Sequence, residues 1–266
     1  MTFGNRLAIR APTQHAQCSI CVRHKLLIKK LSSDARARNF QATEFQRHLQ
    51  LQYQDRTTYW FNRASSRIPV QPSGYKKLCI VTDAIDHNKF RYPRSKIFQA
   101  KQFSSTVRPA MDMTCLIAHG YHLMLALSEP YLPKDSSWCT ELLSHMLSRL
   151  SAGGLDLRST EVHIQSDNCC RETKNNTLTR WSGYLVATHR VKKIQMDFLM
   201  SGHSHEDIDQ FFSAVANLIE SHQEVHCPSD FVRLLEGWLS DTSIRKHEPL
   251  RSVLKVDQVR DWCFGC

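Results

Sequence analysis

From residue 77 onward, short apolar segments of strand length alternate with longer segments of helical period, and this alternation strongly limits the possible folds. Strands are predicted at 77–83, 114–117, 121–128, 161–167 and 193–199. Helices are predicted at 135–150, 173–189, 204–221 and 228–239. Strands that alternate with helices are joined by right-handed crossovers, which gives a mixed sheet with parallel central strands. The sequence therefore predicts an α/β fold in which helices flank the sheet.

The order of these elements is more specific than the class. Three leading strands followed by helix, strand, helix, strand and helix match the topology of the ribonuclease H-like fold. That topology places the first and fourth strands side by side at the centre of the sheet. We therefore expect a ribonuclease H-like mixed sheet. Its function has to be argued from its site, because one fold supports many activities.

A basic segment precedes the alternating region. Helical spacing of apolar residues runs from Asp34, a candidate N-cap, to about residue 64, and a stretch rich in Ser, Pro and Gly follows at 65–74. We predict four parts, namely a basic Cys/His knuckle with a long helix (1–66), a linker (67–75), the α/β domain (76–225) and a C-terminal helical tail (226–266).

The positive charge is concentrated in the first part of the chain. Residues 1–70 contain 12 Lys/Arg and three acids, so they carry +9 of the net charge of +10. Such asymmetry predicts a module that binds a polyanion, with Lys25, Lys29 and Lys30 as candidate DNA contacts. The alternative is a solvated basic surface without a partner. No apolar run approaches the roughly 20 residues of a membrane-spanning helix, and we expect no membrane span.

Two of the predicted strands end in an aspartate. Asp83 ends the first strand and Asp167 ends the fourth, so the expected topology makes their side chains converge. Two like charges that lie close together raise one pKa or require a divalent cation. Asp209 follows on the last helix and is the candidate third acid, while Asp86 is an alternative first acid. Each Asp could instead cap the turn that follows its strand.

A second metal motif overlaps the last helix. The residues at 203–207 fit H-x-H-x-D, the metal-binding core of metallo-β-lactamase-type hydrolases. A His normally follows that Asp, whereas Ile208 follows it here. The metallohydrolase is therefore kept as a minor alternative.

Cys18 and Cys21 have the spacing of zinc ligands. His15, His24 and His48 are candidate partners, and we prefer His48 because a helical His suits small zinc modules. The alternative is a pair of buried or free thiols. We expect the thiols to be reduced and the protein to be intracellular.

Several segments together resemble a widespread family of transposon-associated proteins of uncharacterised activity. They are CSICVRHK (18–25), TDAIDHNKFRYPR (82–94), SDNCCRETKNN (166–176) and FLMSGHSHEDIDQFFS (198–213). The family is similar to transposases and integrases with a ribonuclease H-like core. In those enzymes the usual third acid is Glu, whereas the matching position here is Asp209.

This resemblance implies phosphoryl transfer on DNA in the nucleus. Asp83, Asp167 and Asp209 would hold two Mg²⁺ or Mn²⁺ ions, and His203 would position the nucleophile. Phosphate oxygens would be held by three further residues, Asn168, Arg171 and Lys174. The principal rival is a catalytically degenerate or domesticated copy that binds nucleic acid or a partner protein. The oligomeric state stays open, with a homo-oligomer as one alternative.

Overall fold

The computed structural model describes residues 18–68, 74–85, 90–95, 105–200, 207–222, 224–241, 243–244 and 246–263. Within these ranges the helices are α1 (Ser19–Lys30), α2 (Ala35–Ser66), α3 (Ser136–Ala152), α4 (Asn176–Ala187), α5 (Asp207–Ser221) and α6 (Pro228–Leu239). The strands are β1 (Lys76–Ala84), β2 (Asp112–Ala118), β3 (His122–Ser128), β4 (Thr160–Ser166), β5 (Lys193–Phe198) and β6 (Leu250–Lys255). His203, Asp86 and His15 lie outside the described residues.

The strands form one mixed sheet in the order β5-β4-β1-β2-β3-β6. β1 pairs with β4 in parallel and with β2 in antiparallel orientation. The α/β class predicted from the alternation is therefore confirmed. The first and fourth strands are neighbours, as the strand order led us to expect.

The register of β1 and β4 sets the position of the two strand-terminal acids. Val81 lies opposite Gln165 in this parallel pair. Asp83 lies two residues beyond this pair in β1, and Asp167 follows the last residue of β4, so both lie at the carboxyl ends of adjacent strands. Side-chain direction alternates with a period of two within β1, so Asp83 projects from the same face as Val81.

Helices cover both faces of the sheet. Cys79 and Val81 of β1 point to a core shared with α2, α5 and α6, whereas Leu78 and Ile80 point to a core shared with α3 and α4. Asp83 projects from the same face of β1 as Cys79 and Val81. Asp83 therefore faces the layer that contains α5.

The long helix α2 is capped as predicted and ends inside the domain. Asp34 accepts a hydrogen bond from the Ala37 amide at 3.0 Å. At the other end, the Ser66 hydroxyl donates to the His119 carbonyl at 2.7 Å and accepts from the Cys79 amide at 3.0 Å. Since Tyr59 is buried in the sheet core as well, the C-terminal part of α2 belongs to the same packed unit as β1.

The predicted helical tail (226–266) contains a strand as well as helix α6, and this part of the prediction needs correction. β6 lies beside β3 in parallel. Its sequence, LRSVLK, is half polar and its residues are only partly buried, so the apolar signal of an edge strand is weak. After β6, the Arg260 guanidinium and the Trp262 indole both hydrogen-bond Glu141 of α3. The tail is thereby held against the domain.

Candidate functional site

Asp83 and Asp167 stand at the same edge of the sheet with different local contacts. Asp83 is half-buried and accepts a hydrogen bond from the Ala84 amide at 2.9 Å. Asp167 is exposed and accepts from the Cys169 amide at 3.3 Å and from the Thr173 hydroxyl at 3.4 Å. The turn-capping alternative therefore applies to Asp167. A carboxylate offers about four lone-pair sites, so this capping leaves capacity for a cation.

The electrostatics of Asp83 show that the predicted acids lie near one another. Burial, together with the charges of Asp209, Asp167 and Glu172, raises the pKa of Asp83 to about 7, although the Ala84 hydrogen bond acts in the opposite direction. A divalent cation would relieve this repulsion. The structure thus brings Asp209 of α5 toward the two strand-terminal acids.

The carboxylate oxygens of Asp83, Asp167 and Asp209 do not form one compact group of ligand atoms. In the described part of the chain, the only group of three or more His, Cys, Asp or Glu residues whose ligand atoms all lie within 4.8 Å of one another is the Cys/His group discussed below. Oxygens that serve different ions of a two-ion site can be up to about 8 Å apart, given ions about 4 Å apart and bonds of about 2 Å. In this arrangement the three carboxylates do not surround a single ion.

The sequence analysis missed Glu172 and Lys134 at this edge. Burial and the neighbouring Asp167 raise the pKa of Glu172. Burial lowers the pKa of Lys134 to about 8, although its ammonium lies 3.8 Å from a carboxylate oxygen of Asp112. These residues sit in connecting segments, where neither periodicity nor strand position marks them. A search for acids close in sequence to Asp167 could have found Glu172.

The candidate phosphate contacts lie in the turn between β4 and α4. Asn168, Arg171 and Lys174 are all exposed. The Lys174 ammonium is 5.5 Å from the centre of the Phe198 ring at the end of β5. Lys174 is therefore at the same edge of the sheet as the acids.

Asp207, the third residue of the H-x-H-x-D motif, is engaged elsewhere. The Tyr59 hydroxyl donates to its Oδ1 at 2.6 Å, and the Arg63 guanidinium lies 3.6 Å from its Oδ2. The two His residues of the motif, His203 and His205, lie outside the described residues.

The Cys/His cluster, which consists of Cys18, Cys21 and His48, is a second candidate site. Its three ligand atoms lie within 4.8 Å of one another, and Cys18 Sγ is 3.5 Å from His48 Nε2. Cys18 and Cys21 bracket the first residues of α1, while α2 supplies His48. Burial and the neighbouring Cys18 raise the pKa of the Cys21 thiol. Two thiols and an imidazole at this spacing could hold a metal such as zinc.

A further histidine, His24, lies beside the Cys/His cluster. The His24 and His48 rings stack with centres 6.1 Å apart, and His24 Nδ1 contacts the side-chain amide of Gln41. His24 stays a candidate fourth ligand. The predicted DNA contacts, Lys25, Lys29 and Lys30, are exposed on α1.

The fold and the two sites define an α/β protein with an acidic sheet edge and a Cys/His cluster that precedes the sheet. A family model described as a domain of unknown function (DUF7869) matches residues 101–263, and the chain belongs to this family. Asp167 and Asp209 fall inside the matched region, whereas Asp83 and the Cys/His cluster precede it. No curated protein and no solved structure matches the chain. None of the helices in the described ranges combines the length and the apolar character needed to cross a membrane.

Proposed function

We propose that this protein is a transposon-derived enzyme that catalyses metal-dependent phosphoryl transfer on DNA with a ribonuclease H-like domain. The parallel pairing of β1 with β4 supports the proposal, because the carboxyl ends of these strands, where Asp83 and Asp167 lie, are neighbours at one edge of the sheet. The charge of Asp209 acts on Asp83 as well, which supports a shared site. The resemblance to transposon-associated proteins supports DNA as the substrate.

The donor chemistry of the acidic edge fits Mg²⁺ or Mn²⁺. Asp83, Asp167 and Asp209 offer oxygen ligands, which these hard cations prefer. When bound, two such ions supply activation of a water or 3′-hydroxyl and stabilisation of the leaving oxygen. The raised pKa of Asp83 means that a cation at this edge would compete with a proton for the carboxylate.

The remaining residues of the edge would hold and orient the substrate. Arg171 and Lys174 donate hydrogen bonds to phosphate oxygens, and Asn168 donates through its amide. His203 positions the attacking oxygen. Glu172 adds negative charge beside Asp167, and this charge further favours the binding of cations at the acidic edge.

A structural zinc in the Cys/His cluster would join α1 to α2. Cys18 and Cys21 would bind as thiolates and His48 through Nε2, the nitrogen that already faces Cys18. The site would thereby fix the helix that presents Lys25, Lys29 and Lys30. Zinc here is structural in the proposal and takes no part in the chemistry on DNA.

The second candidate function is a binding module without catalysis. The exposed lysines of α1 favour it, because Lys and Arg provide affinity by releasing counterions from the phosphate backbone. This function needs the basic module but does not need the acidic edge. Catalytic residues and binding residues can therefore be separated by mutation.

A plasmid nicking assay with Mg²⁺ or Mn²⁺ separates the two functions. Asp167→Ala is expected to lower nicking by at least about a thousandfold, because it removes a ligand that acts on the transition state. Salt-sensitive DNA binding should be retained. The matched control is Asp257→Asn, an exposed acid three strands from β1, which should nick at the wild-type rate.

Two results would decide against the enzyme. Wild-type protein that binds DNA but does not nick it with either metal would leave the binding module. Nicking that survives Asp167→Ala unchanged would place the activity elsewhere or in a contaminant.

A further inference from the structure

A buried polar network joins helix α2 to the first residue of α5. Asp207 is 9% exposed, and its Oδ1 accepts the Tyr59 hydroxyl at 2.6 Å. The Arg63 guanidinium lies one helical turn further along α2 and 3.6 Å from Asp207 Oδ2. Tyr59 itself is 1% exposed. A charge-assisted hydrogen bond in such a dry setting holds its two partners firmly.

The network continues to the turn between β2 and β3. His119 is fully buried, and its Nε2 lies 2.9 Å from the Tyr59 oxygen. Because the only hydroxyl proton of Tyr59 goes to Asp207, the contact with His119 requires the imidazole N–H to donate. His119 Nδ1 in turn lies 3.8 Å from Asp207 Oδ2 and 3.6 Å from Glu248 Oε1. Burial and the charge of Asp207 raise the pKa of Tyr59, which keeps its hydroxyl a donor.

The geometry of α5 connects this network to the acidic edge. Asp207 and Asp209 are two residues apart, so their side chains leave the helix about 200° apart. Asp207 faces the His119 side, which is the opposite end of β2 from the acidic edge. Asp209 lies on the other flank, where its charge raises the pKa of Asp83. Whatever fixes Asp207 therefore fixes the direction in which Asp209 projects.

We infer that Tyr59, acting through Asp207, is a positioning residue that aims Asp209 at Asp83 and Asp167. This inference rests on the proposed function, since it concerns the same cation site. It gives α2 a role in the acidic site in addition to its role in the Cys/His cluster. Neither Tyr59 nor Asp207 contacts the substrate or the cation in this arrangement.

Mn²⁺ titration of the full-length protein tests the inference. Tyr59→Phe keeps the ring in the core and removes only the hydroxyl, so Asp207 loses the 2.6 Å hydrogen bond from Tyr59. We expect Mn²⁺ affinity to fall about tenfold or more, as when an outer partner of a metal ligand is lost. In the nicking assay kcat should fall while KM for DNA stays unchanged. Asp207→Asn should act in the same direction and serves if Tyr59→Phe does not fold.

Ile219→Val is the matched control. It trims a fully buried side chain at the other end of α5 and leaves the network intact. A purely structural role predicts that Ile219→Val and Tyr59→Phe lower Mn²⁺ affinity equally when their loss of stability is equal. The positioning role predicts that only Tyr59→Phe and Asp207→Asn weaken Mn²⁺ binding.

The outcomes separate this inference from the proposed function. If wild-type protein binds Mn²⁺ with Asp209-dependent affinity and Tyr59→Phe binds it equally well, the positioning role is wrong and the cation site stands. If the wild type shows no Asp209-dependent Mn²⁺ binding, the cation site itself is wrong and the positioning role falls with it.

Discussion

The Cys/His cluster and the acidic edge are two groups of candidate metal ligands with opposite organisation. Cys18, Cys21 and His48 offer soft or borderline ligands that are already within 4.8 Å of one another. At the acidic edge, hard carboxylates lie farther apart and interact through their charges. Neutral thiols and an imidazole can approach closely without a metal, whereas carboxylates repel one another.

On the basis of this difference we propose different tasks for the two regions. A compact set of buried ligands on two helices is suited to a metal that stabilises structure. Carboxylates at strand ends, partly exposed and next to basic side chains, are suited to cations that share their coordination with a substrate. Mutations in each region test whether the two regions differ in this way.

The largest expected effect is at the Cys/His cluster. Cys18→Ser should lower the zinc content from about one ion per chain to near zero and unfold the α1–α2 hairpin locally, since metal binding contributes about 10 kcal/mol or more in small zinc modules. Metal analysis and hydrogen exchange over α1 measure both effects. Cys263→Ser, at an exposed thiol, is the control and should change neither. Zinc-free wild-type protein with unchanged exchange in Cys18→Ser would contradict the structural role.

A smaller effect concerns the pH dependence of stability at the acidic edge. The folded pKa of Asp83 is about 7, against an ordinary value of 3.8, so the folded state keeps a proton that the unfolded chain has released. The free energy of unfolding should therefore fall as pH rises from about 4 to 7, by a few kcal/mol at most.

Asp83→Asn removes this contribution and should flatten the profile, and denaturant titrations across this pH range provide the measurement. Saturating Mn²⁺ should restore stability in the wild type above pH 7, because the cation binds the folded state. Identical profiles for the wild type and Asp83→Asn would show that the carboxylate is not buried among like charges.

The smallest expected effect concerns DNA affinity. Replacing Lys25, Lys29 and Lys30 with Gln should reduce the slope of log affinity against log salt by about 2.7, if each lysine contacts one phosphate. The control replaces Arg158, Arg180 and Arg190, exposed residues outside α1 and α2, with the same loss of charge. Filter binding over a salt series measures both slopes. Equal slopes for the two triple variants would mean that α1 is not the DNA-binding surface.

The sequence predicted the elements whose physical signal is local and strong. Apolar strands such as β1 and the amphipathic helix α3 agree with the prediction to within two residues, and the Asp34 cap was found as well. Strand β6 was missed because an edge strand that is half polar leaves no clear period. The adjacency of β1 and β4 could be predicted because the order of the elements along the chain indicates it.

Long-range contacts between polar residues could not be predicted from the sequence. Nothing local marks Tyr59 as a partner of Asp207, which lies 148 positions away in the chain. Tyr59 is one of several aromatic residues in α2, and Asp207 resembles a residue of a helix N-terminus. Glu172 was missed for a similar reason, because a turn folds it back toward Asp167.

The central claim is that the acidic edge binds two divalent cations. A crystal of the full-length protein soaked in Mn²⁺, with anomalous diffraction measured near the manganese edge, tests it most directly. We expect two anomalous peaks about 4 Å apart between the carboxylates of Asp83, Asp167 and Asp209, and their loss in Asp167→Ala. A well-diffracting soaked crystal with no peak among these carboxylates would contradict the claim.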